Sequence, residues 1–137
     1  MGTTPAVGLA RLRAAAEDGS LDELCARQHV RVLTVFGSVV RSDTVPRDLD
    51  IAVRFEPASS VDVLGLLDVL SRLTGSDDID LMVLDHAGPV ARERALVGCV
   101  ALYESEPCAY ANAQMAAMCE RMETDWLRAL DLETLAR

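Results

Sequence analysis

Apolar runs along the chain are separated by glycine, proline and acidic clusters, and each run has a readable period. Pro5 to Glu17 predicts a helix, with proline in its first turn and Gly19 beyond its end. Ser20-Leu21-Asp22-Glu23 has the form of a capping box, so a second helix is expected from Leu21 to about Gln28. Val30 to Phe36 (VRVLTVF) is rich in β-branched residues and predicts a strand. Gly37-Ser38 ends it in a turn, and Asp43 to Arg47, with Pro46, predicts a loop. Leu49 to Phe55 is a second strand. Ser59 or Ser60 is expected to cap a helix from Val61 to Leu73, stopped by Gly75. Ile79 to Leu84 (IDLMVL) reads as a third strand, Pro89 to Val97 as a helix stopped by Gly98, and Val100 to Tyr103 as a short extended segment. Pro107 opens a long helix to about Leu130, with a turn near Asp131. The order implies an α/β (α+β) fold: a small mixed sheet flanked by helices, with a C-terminal helix. Residues 1–104 read as a core with N-terminal helices, and 105–137 as a helical extension of the same domain.

Asp48 and Asp50 change the picture. Two apart in a strand, they share one face, while Leu49, Ile51 and Val53 take the other. Neighbouring carboxylates repel unless a proton or a cation stands between them. Oxygen-only ligands suit magnesium, which completes its shell with water and phosphate oxygens. Gly37-Ser38 offers the complement: glycine lets the backbone approach a ligand, and exposed N–H groups at the start of a helical turn favour phosphate. Asp80 alternates with Ile79 and Leu81 in the third strand and is the candidate third acid of a two-metal site. Asp77, Asp78 and Asp85 read as exposed loop acids. Arg41 is divided evenly between contacting a triphosphate and pairing with Asp43. Arg92 and Arg94 read as solvated helix arginines, with a substrate role the minority view. No histidine lies near Ser38 in sequence, which favours phosphate contact over a nucleophilic serine.

Composition narrows the partners. The 137 residues suit one domain, half of them are hydrophobic, and the net charge is −9. All 13 basic residues are arginine. So acidic a chain argues against direct nucleic-acid binding, which needs a basic stripe. Cys25, Cys99, Cys108 and Cys119 form no CxxC pair, and His29 and His86 lie far from them, so zinc-ligand spacing is absent. Reduced thiols in a cytoplasmic protein are the expectation. No leader sequence and no transmembrane run is apparent.

Gly37-Ser38, then Asp48-Leu49-Asp50, then Asp80 on a later strand resemble the DNA polymerase β-like nucleotidyltransferase superfamily. Within it, the layout FGSVVRS…DLDIAV…IDLMVL…ALVGCVALYE looks like the minimal nucleotidyltransferase (MNT) antitoxins, encoded beside HEPN-domain ribonuclease toxins. The resemblance covers roughly Val30 to Glu104. It implies a nucleotidyltransferase fold and catalytic, metal-binding Asp48, Asp50 and Asp80. It also implies nucleotide contacts at Gly37 and Ser38, two magnesium ions, and transfer of AMP from ATP to a tyrosine of a HEPN toxin. Arg47 stands where the family often has serine, Ser42 where glycine is usual, and the intervening loop is about one residue short. None of these removes a catalytic group.

Two rivals differ in class: a small-molecule nucleotidyltransferase of the aminoglycoside-modifying type, and an antitoxin that neutralises its partner by binding alone. The first usually carries a further helical domain, for which the 33 residues after Glu104 leave little room. Met115, Met118, Cys119, Met122 and Trp126 form one apolar stripe on the last helix. It suits either the protein's own core or a partner surface.

Overall fold

The computed structural model of the protein describes residues 4–41 and 45–135. Ser42 and Asp43, and with them the surface pairing considered for Arg41, lie outside the described residues. In chain order the elements are α1 (Pro5–Asp18), α2 (Ser20–Arg27), β1 (Val30–Phe36), a 3-10 turn (Gly37–Val39), β2 (Leu49–Phe55), α3 (Val63–Thr74), β3 (Ile79–Val83), a second 3-10 turn (Leu84–His86), α4 (Pro89–Leu96), β4 (Val100–Glu104) and α5 (Ala109–Leu135).

Several boundaries differ from expectation for local reasons. The capping box at Ser20 does not form. The Ser20 hydroxyl and backbone N–H both donate to Asp18, at 2.6 and 2.8 Å, because a carboxylate two residues back is a charged acceptor. The cap of α3 is Asp62 rather than Ser59 or Ser60. Its carboxylate accepts from the Gly65 N–H at 3.0 Å, placing negative charge at the helix N-terminus. Leu84 leaves β3 for the following turn. The helix α5 continues through Asp131 to Leu135.

The sheet has strand order β3-β2-β1-β4. β1 pairs antiparallel with β2 and β4, whereas β2 and β3, joined through α3, run parallel. Alternation then sorts the side chains onto two faces. Leu33, Val35, Ile51 and Val53 pack with Leu12, Leu21, Leu66 and Leu70 from α1, α2 and α3. Leu12, Leu21, Leu66 and Leu70 are fully buried, each contributing about 1.5–3 kcal/mol of transfer free energy. On the other face Phe36, Ala52 and Leu84 pack against Ala95 and Leu96 of α4 and Ala113 and Ala117 of α5.

Small side chains let α5 lie close. Ala109, Ala113 and Ala117 are its buried positions, one helical turn apart. Hydrogen bonds then fix α4 against its neighbours. The buried Thr34 hydroxyl donates to the Ala95 carbonyl at 2.8 Å. Tyr110 and Gln114 donate to the Leu96 carbonyl at 2.7 and 3.0 Å. These bonds set the position of Arg94, the residue before Ala95.

Candidate active site

Register assembles the acidic cluster. Asp50 of β2 is the direct partner of Phe36 in β1 and of Asp80 in β3. In the parallel β2–β3 pair, matched residues point to the same face, so the two carboxyls meet although 30 positions separate them. Asp48 stands at the exposed bend leading into β2. Asp77 and Asp78 are exposed, and Asp85 lies beyond the far end of β3.

Gly37 is needed at this point for a reason the sequence does not report. Its φ is +80°, in the left-handed region. A Cβ built there would sit 3.1 Å from Asp50 Cγ and closer still to Oδ2. The group that approaches the glycine so closely is therefore the protein's own carboxylate. The turn that follows is short: Val40 N–H bonds to the Gly37 carbonyl and Arg41 N–H to the Ser38 carbonyl, each at 3.2 Å. Gly37 and Ser38 thus lie beside the acidic cluster.

Burial, then the charge of Asp80 and then that of Asp48, pushes the Asp50 carboxyl above the ordinary carboxylate range. Arg94 opposes them, and a hydrogen bond to Asp80 adds to the rise. Among the described residues, no three histidine, cysteine, aspartate or glutamate side chains are gathered closely enough to hold one ion together. Asp80 acts on Asp50 more strongly than Asp48 does. The donor chemistry nevertheless fits a hard cation, since all three groups are carboxylates and two already crowd one another.

The arginines divide by position. Arg92 is tied down: it donates to both carboxylate oxygens of Glu120, at 2.8 and 3.1 Å, and to the Leu84 carbonyl at 2.8 Å. Arg94, two residues on, instead acts on Asp50 and lines a cavity of about 170 Å³ with Phe36, Gly37, Arg41, Val97 and Gly98. Arg94 is exposed, as its solvated reading from sequence expects, and it also borders the cavity beside Gly37. Only the packing of α4 against β1 brings it to the acids, and no spacing in the chain reports that. A larger cavity, about 300 Å³, lies at the other end of β2 and β3. Its charges are already matched, Arg54 with Asp85 at 3.8 Å and Arg92 with Glu120.

The sequence matches the family described as "Polymerase beta, Nucleotidyltransferase" over residues 20–107. The chain belongs to this nucleotidyltransferase family. No curated protein sequence matches it. Among solved structures, the nucleotidyltransferase is similar to a chain of a toxin–antitoxin crystal structure with AMP-PNP. The two are 18% identical, the match covers 87% of this chain and 98% of that one, and the TM-score is 0.65. It is similar also to a chain of a complex of a tri-AMPylated Shewanella oneidensis HEPN toxin with an MNT antitoxin, at 18% identity, 87% and 95% coverage and TM-score 0.61. A chain of the MntA–HepT toxin–antitoxin matches at 17% identity, 87% and 96% coverage and TM-score 0.61. The likeness establishes a shared fold.

The nucleotidyltransferase carries a second feature outside the acids. Met115, Met118, Met122 and Trp126 are 67%, 46%, 70% and 64% exposed, so this stripe does not close the protein's own core. The alanine face does so instead. None of the four cysteines forms a disulfide. Burial chiefly, with Asp22 nearby, pushes the Cys25 thiol up to about 12, which leaves it protonated and unreactive. Among the described residues no helix is long and apolar enough to cross a membrane.

Proposed function

We propose that the chain is a magnesium-dependent adenylyltransferase that moves AMP from ATP to a tyrosine hydroxyl of a HEPN ribonuclease toxin, and so acts in the cytoplasm as its antitoxin. The observation that carries the reading is the crowding of Asp50 against Asp80 beside the Gly37 turn. Such a cluster is unfavourable until a cation and its anionic ligand arrive. Membership of the nucleotidyltransferase family supports the reaction class. The similarity to structures holding AMP-PNP and an AMPylated HEPN toxin supports the nucleotide and the acceptor.

Asp48, Asp50 and Asp80 would hold the metal. When bound, magnesium supplies positive charge against the triphosphate and the developing negative charge of the transition state. Gly37 and Ser38 present the turn against which the phosphates rest, with Arg41 at its exit. Asp80 takes the proton of the acceptor hydroxyl on a carboxylate oxygen. The acceptor oxygen forms a bond to the α-phosphorus, the bond from that phosphorus to the bridging oxygen breaks, and pyrophosphate leaves. The exposed Met115–Trp126 stripe gives a protein acceptor a surface to grip, which favours a macromolecular over a small-molecule acceptor. Calorimetric titration with ATP tests the site: binding is expected with magnesium and not with EDTA. Equal affinity in both would overturn the metal-dependent reading.

A further inference from the structure

Arg94 has no place in the scheme above, yet its surroundings single it out. Arg31, Arg54, Arg72, Arg92 and Arg121 each have an acidic partner within 4 Å, and of the remaining described arginines only Arg94 and Arg41 line the cavity beside Gly37. The base of Arg94 is fixed, because Ala95 and Leu96 are buried and their carbonyls accept the bonds from Thr34, Tyr110 and Gln114. The side chain therefore leaves a rigid helix end. It shares a cavity of about 170 Å³ with Gly37 and Arg41, and its charge reaches Asp50. On a chain of net charge −9, a polyanion needs such local cations to approach at all.

We propose that Arg94 binds the triphosphate of the nucleotide, facing it from α4 across the cavity from the Gly37 turn. This rests on the nucleotidyltransferase reading and adds a residue to it. The planar fork of donors on Arg94 is suited to phosphate oxygens. A charged hydrogen bond of this kind corresponds to about 10–100-fold in affinity.

The test is calorimetry of the full chain in magnesium with ATP, inorganic triphosphate and AMP, using wild type, Arg94→Gln and Arg94→Lys. Arg94→Gln is expected to weaken ATP and inorganic triphosphate by about 10–100-fold while leaving AMP unchanged, with Arg94→Lys in between. A role confined to folding would weaken all three ligands alike and lower the melting temperature, and that result would overturn the proposal. So would ATP affinity that Arg94→Gln leaves at the wild-type value. Failure of wild type itself to bind ATP is a separate result, which would overturn the nucleotidyltransferase reading and this inference with it.

Discussion

Gly37→Ala places a methyl group where Asp50 already has its carboxylate. Two costs follow. An L-residue at φ +80° carries a left-handed penalty of about 1–2 kcal/mol. The new Cβ, 3.1 Å from Asp50 Cγ and nearer to Oδ2, forces that side chain off its rotamer at about 0.5–1.5 kcal/mol. Unfolding entropy of about 2.1 cal/mol/K per residue turns the combined loss into a fall in melting temperature of roughly 5–12 °C for this chain. Because Asp50 moves, transfer should fall by about 10²-fold or more, as misplacement near 1 Å commonly causes. A double-mutant cycle with Asp50→Ala separates the costs. In that background only the backbone penalty should remain, leaving a coupling of about 0.5–1.5 kcal/mol. A wild-type melt for Gly37→Ala, or an identical cost with and without the Asp50 carboxylate, would refute the reasoning.

Other expectations follow from the same cluster and from α5. Asp48→Asn with Asp50→Asn should abolish transfer without lowering the metal-free melting temperature, since it removes repulsion; a large drop would indicate a structural role. Asp80→Asn should slow transfer by about 10²–10⁴-fold while ATP still binds more weakly, and unchanged turnover would move the proton acceptor elsewhere. The raised Asp50 carboxyl makes the folded state bind a proton that the unfolded state releases. Its stabilisation is complete below the unfolded carboxylate range and is lost as pH rises through the folded value. Metal-free melts should therefore decline across that interval, and Asp50→Asn should flatten the slope. Magnesium-ATP binding should weaken in the opposite direction, as pH falls and the proton competes. Trp126→Ala, at a 64% exposed position, should change stability by less than about 0.5 kcal/mol. The same change should weaken toxin binding by about 2 kcal/mol or more, read by calorimetry with the toxin, and normal binding would remove the stripe from the interface.

Local chemistry made much of this legible. The β-branched runs at Val30–Phe36 and Leu49–Phe55 became strands with the expected ends, because a two-residue period with one buried face admits little else. Gly75 stopped α3 in the left-handed conformation expected of it. Pairing between distant segments left a weaker trace. Asp80 was readable as a candidate third acid, but its opposition to Asp50 depends on the β2–β3 register. Arg94 could not be told from Arg92 in the sequence, since one packing contact sends Arg92 to Glu120 and leaves Arg94 facing the acids. On α5 the larger side chains drew attention to the methionine–tryptophan stripe. Burial went to alanines, whose small volume lets the helix approach the sheet. At Ser20 and Asp62 the capping expectation failed because each carboxylate outcompeted the nearby hydroxyl pattern.

The central claim is the transfer of an adenylyl group to a protein partner. Its most direct test is intact-mass spectrometry of the cognate HEPN protein after incubation with the chain, ATP and magnesium. The account predicts that the HEPN protein gains whole adenylyl units on tyrosine, with one pyrophosphate released per unit, and that neither appears with the Asp48→Asn, Asp50→Asn variant. A HEPN protein that binds the chain tightly yet keeps its unmodified mass would contradict it and leave neutralisation by contact.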